Sequence, residues 1–139
     1  MAYSNSPLYR VLVVEDDQPI RDLYVTKLGL EGFEVGHAVN GVHGLKMAES
    51  FAPDIILLDL MMPEMNGDEM LRHLRSHEWG ADIRVVILTN MSKDEAPHAL
   101  RFLSVDRYVV KAHYTPAQVV DIVRDVLHIR PDSYLTSGQ

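Results

Sequence analysis

The chain has 139 residues, a hydrophobic fraction of 47% and a formal net charge of −7. That suits one compact domain with a real core and speaks against a broad nucleic-acid or anionic-membrane footprint. It has no cysteine, which excludes disulfides, thiolate nucleophiles and zinc–thiolate sites and fits a reducing, cytoplasmic setting. The first nine residues are too short and polar for a signal peptide, and no apolar run approaches a membrane span.

In chain order, strand-like and helix-like patterns alternate. Arg10 to Val14 is a short β-branched run followed by Glu15, Asp16 and Asp17. Asp17 suits an N-cap because Pro19 falls in the first helical turn. Ile20, Leu23, Tyr24 and Leu28 then carry a helical period that ends near Gly32. Phe33 to Val39 is a second, weaker strand, interrupted by Gly36 and His37. Asn40-Gly41 turns the chain into a second helix carrying Val42, Leu45, Ala48 and Phe51, and Pro53 ends it.

Asp54-Ile55-Ile56-Leu57-Leu58-Asp59 places four aliphatic residues between two aspartates, the pattern of a strand buried on both faces. Asp59 stands at its end with no cation beside it in sequence, a costly position unless a partner arrives from elsewhere. A loop through Met61, Met62, Pro63, Met65 and Gly67 leads to a third helix with Met70, Leu71 and Leu74 inward, closed by Trp79-Gly80. Ile83 to Leu88 is the fourth strand, ending at Thr89. Ser92 and Glu95 have capping-box spacing for a fourth helix, which Pro97 should keep short. Tyr108 to Val110 is the fifth strand, ending at Lys111. Thr115-Pro116 starts a last helix running to about His128, and Arg130 to Gln139 reads as a frayed tail.

Five strands alternating with five helices predict an α/β fold: a parallel, doubly wound sheet covered on both faces. Ligands of such sheets bind outside the carboxyl ends of the strands, where the strand order reverses. That edge collects Glu15, Asp16 and Asp59 with Thr89 and Lys111. The acids suit a hard divalent cation such as Mg2+, and the lysine and threonine suit an anion beside it. The set is ready for phosphoryl transfer to a carboxylate.

These motifs resemble the response regulator receiver domain of two-component signalling systems, the CheY-like superfamily. Val13-Val14-Glu15-Asp16 is similar to its acidic pair, and Leu57 to Pro63 with Gly67 beyond is similar to its phosphoacceptor motif. Leu88-Thr89 and Tyr108-Val109-Val110-Lys111 are similar to its switch hydroxyl and its aromatic-to-lysine run. The resemblance implies a flavodoxin-like five-stranded sheet of order 2-1-3-4-5 over residues 8–128, with short tails at 1–7 and 129–139. It implies that Asp59 accepts a phosphoryl group from the phosphohistidine of a sensor histidine kinase or phosphotransfer protein. Glu15, Asp16, Asp59 and the backbone carbonyl of Met61 then hold Mg2+, with Mn2+ as the alternative. Lys111 and Thr89 contact the phosphoryl group, and Tyr108 follows the movement of Thr89.

Three departures stand out: Ala112 replaces the usual proline after the lysine, Asn90 replaces a small residue after Thr89, and Ser104-Val105 replaces Gly-Ala. A trans bond or strain is expected at Ala112, and slower phosphoryl entry or loss at Asn90. Phe102, Val120 and Leu127 widen the apolar stripes beyond one core face; flanking core residues are the favoured account, and if exposed they form a partner surface for a downstream effector or a dimer partner. It lies on the face of the fourth helix, fifth strand and last helix. No direct contact with nucleic acid or membrane is expected, and nothing after residue 128 reads as an output domain.

Each residue also has a plainer reading: the Glu15-Asp16-Asp17 run as a helix N-terminus, Lys111 as a surface lysine, Thr89 as a strand cap. His73 and His77 have metal-binding spacing, but a solvated helix face accounts for it. Two competing functions remain at this level. One is a receiver-like interaction module that does not use phosphate. The other is a Mg2+-dependent aspartyl phosphohydrolase of the haloacid dehalogenase type, which needs a second aspartate where Met61 stands. A self-phosphorylating and self-dephosphorylating switch, rather than a turnover enzyme, is the leading reading.

Overall fold

A computed structural model describes residues 8–129. The tails expected at 1–7 and from Arg130 onward lie outside the described residues. The sheet has five parallel strands in the order β2-β1-β3-β4-β5: β1 Arg10–Val14, β2 Glu34–Ala38, β3 Ile55–Leu58, β4 Arg84–Thr89 and β5 Arg107–Val110. This is the doubly wound, flavodoxin-like order expected from the sequence.

Side chains of the three central strands alternate between two cores, as the pleat requires. Val11, Val13, Ile55, Leu57, Val86 and Leu88 face α1 (Gln18–Leu30) and α4 (Pro116–Leu127). Leu12, Val14, Ile56, Leu58, Val85 and Ile87 face α2 (Gly41–Phe51) and α3 (Gly67–Ser76). Because both faces are covered, these strands read as unbroken apolar runs.

Local chemistry starts the helices where expected. Asp17 accepts from Ile20 N, and Asn40 accepts from His43 N. Thr115 accepts from Gln118 N and forms a full capping box with the Gln118 side chain.

The expected fourth of five helices does not form. Between β4 and β5 the chain makes two short 3-10 turns, Lys93–Glu95 and His98–Phe102, so among the described residues four α-helices flank the sheet. The Ser92/Glu95 capping box is present, but it opens only one turn. Pro97 cannot donate a backbone hydrogen bond, and it drives Ala96 to φ −67°, ψ 148°, an extended conformation.

Ser104 closes this segment at φ +56°, the left-handed conformation that glycine would adopt without strain. Arg75 at the end of α3 stabilises the turn. Its guanidinium donates to the carbonyls of Leu103 and Ser104, both at 2.8 Å, and to those of Gly80 and Ile83 at 2.9 and 2.7 Å. Burial lowers its pKa from the ordinary arginine value. No cis peptide occurs among the described residues, so the Lys111–Ala112 bond is trans and leads into a 3-10 turn at Lys111–His113.

Candidate functional site

The strand order reverses between β1 and β3, and the two acidic strand ends meet there. Glu15 and Asp59 are almost fully buried, at 3% and 6% exposed, while Asp16 is exposed. Carboxylate oxygens of Glu15, Asp16 and Asp59 all lie within 4.8 Å of one another. Lys111, at the end of β5, reaches across the edge to both buried acids. Its ammonium touches Glu15 Oε1 and donates to Asp59 Oδ2 at 3.2 Å. The cation that Asp59 lacks in sequence therefore comes from 52 residues away.

The electrostatics follow from this packing. Burial pushes the Glu15 carboxyl above the usual carboxylate range, and the hydrogen bond from Lys111 only partly offsets it. Burial opposes the charge on Lys111, but the hydrogen bond to Glu15 and the nearby acids outweigh it and raise its pKa. Asp59 Oδ1 also accepts from Met61 N at 3.3 Å.

Thr89, 1% exposed, is buried at the end of β4, and its hydroxyl oxygen accepts a long bond from Met91 N at 3.4 Å. The Tyr108 hydroxyl donates to the carbonyls of Met91 and Ser92 at 2.8 and 3.3 Å. Burial raises its pKa. Thr89 and Tyr108 are thus linked through the first residues of the β4–β5 segment.

Gly67 at the start of α3 lets the helix come up against the phosphoacceptor candidate. A Cβ there would lie 2.1 Å from the Asp59 carbonyl oxygen. Gly67→Ala is expected to cost about 3 kcal/mol, a fall in Tm of roughly 10 °C. Calorimetry checks this, and a loss below about 1 kcal/mol would mean that the loop yields easily.

The donor set fits a hard cation. Three carboxylates converge on one point, and an ammonium limits the charge they accumulate. The histidines do not compete: among the described residues no group of metal-ligating side chains includes His73 or His77, and His77 stacks on Trp79 instead.

Two supporting residues escaped the sequence reading. Arg21 donates to the carbonyls of Glu15 and Asp16 at 2.9 and 3.4 Å and so holds the acidic turn. Its signal was a cation one helical turn beyond the acidic run. Tyr24, read as a core residue, is buried beside this site. Burial raises its pKa, and the charges of Lys111 and Glu15 act on it in opposite directions. On the last helix the favoured core reading holds for Val120, and of the three candidates only Phe102 and the edge of Leu127 leave an apolar surface. Val120 is 1% exposed and belongs to the core with Val119 and Val123, whereas Leu127 is half-buried and Phe102 is 84% exposed. α4 packs on both α1 and the sheet, which buries a wider stripe than one contact would.

The sequence model of the response regulator receiver domain matches residues 11–124. The chain belongs to this family. It is 33% identical over 119 residues to the phosphate regulon transcriptional regulatory protein PhoB of Pseudomonas aeruginosa, covering 84% of this chain and 51% of that protein. It is 39% identical over 84 residues to the DNA-binding dual master transcriptional regulator RpaA of Synechocystis, covering 60% of this chain and 35% of that protein. The receiver chain thus spans about a third to a half of the length of these curated relatives. Its structure superimposes on chemotaxis protein CheY4 of Vibrio cholerae with a TM-score of 0.80 at 25% identity, covering 86% of this chain and 99% of that one. No helix among the described residues is long and apolar enough to cross a membrane.

Proposed function

We propose that this receiver domain is a phosphorylation-controlled switch in which Asp59 accepts a phosphoryl group from a histidine kinase or phosphotransfer protein. The observation that carries the reading is the Lys111 ammonium lying between the buried carboxylates of Glu15 and Asp59, with Asp16 alongside. Glu15, Asp16 and Asp59, with the Met61 carbonyl, would hold Mg2+ or Mn2+. When bound, the ion supplies positive charge against the phosphoryl oxygens. In the transfer, an Asp59 carboxylate oxygen forms a P–O bond as the P–N bond of the donor phosphohistidine breaks and its electron pair returns to the imidazole. Lys111 leaves its carboxylate partners to meet a phosphoryl oxygen.

Thr89 then donates its hydroxyl to another phosphoryl oxygen. Met91 follows because its amide is hydrogen-bonded to the Thr89 hydroxyl, and the Tyr108 hydroxyl loses its anchor. Contacts available only with phosphate attached shift the population towards that arrangement. The readout face comprises the β4–β5 segment, β5 and α4, with exposed Phe102 and the edge of Leu127 as apolar contacts for an effector or a second copy. Direct contact with nucleic acid or membrane is not part of this role, and the protein acts in the cytoplasm as a switch rather than a turnover enzyme. The functional unit spans residues 8–128.

The test is incubation with Mg2+ and acetyl phosphate, read by intact mass. A phosphate-sized gain supports the reading; no gain, even with candidate kinases, favours an interaction module. The phosphohydrolase alternative has Met61 where its second aspartate is needed. Asn90 is exposed at the end of β4, beside Thr89. Asn90→Ala should speed both uptake and loss of the phosphoryl group roughly threefold, a small change in barrier. Equal rates in the two proteins would dispose of the gating role.

A further inference from the structure

Asn40 stands at the start of α2, and the chemistry just described makes no use of it. Its Oδ1 accepts from His43 N at 2.8 Å, the N-cap bond. That bond fixes the orientation of the amide, so Nδ2 faces away from the helix, where it donates to Glu64 Oε2 at 2.7 Å. One side chain therefore joins the end of β2 to the loop between Asp59 and α3.

Glu64 has φ +67°, a conformation that a residue with a Cβ keeps only where its surroundings hold it. Glu64 is itself exposed, as are Met61 and Pro63, while Met62 and Met65 anchor the loop to the core on either side of it. The Asn40 amide is therefore the side-chain tie at Glu64 itself. The neighbouring backbone is tied to the same place. Gly41 N donates to the Met65 carbonyl at 3.2 Å, and a Cβ on Gly41 would lie 2.5 Å from that oxygen. The inner end of the loop is closed by Gly67 N on the Leu60 carbonyl at 2.9 Å. Met61 lies between these two ties, with its amide on Asp59 Oδ1.

We infer that Asn40 is a positioning residue: by holding Glu64 it sets the course of the loop that carries the Met61 carbonyl, and thereby the affinity of the acidic site for its cation. The inference rests on the metal-dependent reading above and deepens it. Serine at position 40 keeps an oxygen for the cap and loses the donor to Glu64, which separates helix capping from loop positioning.

In Asn40→Ser the Tm should stay close to that of the parent. The amides of residues 61–65 in the metal-free protein should exchange faster, and the Kd for Mg2+, measured by NMR titration, should rise about fivefold. Asn40→Asp keeps the cap but sets a carboxylate against Glu64, so the same changes should be larger. Combining Asn40→Asp with Glu64→Gln exchanges donor and acceptor and should restore both loop protection and affinity.

Unchanged exchange in Asn40→Ser overturns the inference. So does faster exchange with a Mg2+ Kd within about twofold of the parent. Parent protein that binds no Mg2+ overturns the metal reading and the positioning role together. In that case faster exchange would leave Asn40 with a structural role alone.

Discussion

Asp59→Asn should take up no phosphoryl group from acetyl phosphate and should fold more stably than the parent. The first result follows because an amide oxygen is no nucleophile at phosphorus, and Asp59 is the carboxylate on which the proposed transfer depends. The second follows from the crowding of charge. Three carboxylates lie within 4.8 Å of one another and two of them are buried, with the Lys111 ammonium shared between those two. Removing one negative charge relieves repulsion that folding otherwise has to overcome, a gain of about 1 kcal/mol in urea unfolding without Mg2+. A residual phosphate-sized mass gain would mean a second acceptor. A less stable variant would mean that the carboxylates are better matched than their spacing implies.

Lys111→Met should have the opposite effect on stability, and a larger one. The methionine retains an apolar stem, but Glu15 and Asp59 are left buried and facing each other without a cation. Breaking such an arrangement from one side costs about 3 kcal/mol, because the remaining charges stay desolvated. Phosphorylation by acetyl phosphate should slow by roughly a hundredfold, since the group that meets the developing charge is gone. Mg2+ should recover part of the lost stability by restoring positive charge to the acids. Combined with Asp59→Asn, the Lys111→Met penalty should shrink, because one of the two stranded carboxylates has been neutralised. Strict additivity in urea unfolding would show that Lys111 and Asp59 are not energetically coupled.

Much of this site was legible because its parts are local. An apolar run ending in an acid, a hydroxyl or a lysine marks the carboxyl end of a buried strand, and a parallel sheet brings such ends to one edge. Asp17, Asn40 and Thr115 announce helix starts for the same reason: each acts within three residues of itself. The fourth helix failed because two local signals conflicted. The Ser92/Glu95 capping box favoured a helix, and Pro97, two residues after Glu95, stopped it after one turn.

The chain by itself determined the number of the strands, the identity of the five polar groups at their ends and the family resemblance, which in turn implied the strand order. Only the tertiary structure decided what those groups do to one another. Lys111 reaches Glu15 across 96 residues of sequence, and Arg75 holds the Ser104 turn across 29. Val120 is core because α4 packs on α1 as well as on the sheet, which no helical period records. Asn40, read first as part of a turn, proved to span two elements. A backbone amide three residues away can be read from the order of residues. A carboxylate in a separate loop becomes a partner only once the intervening chain has folded.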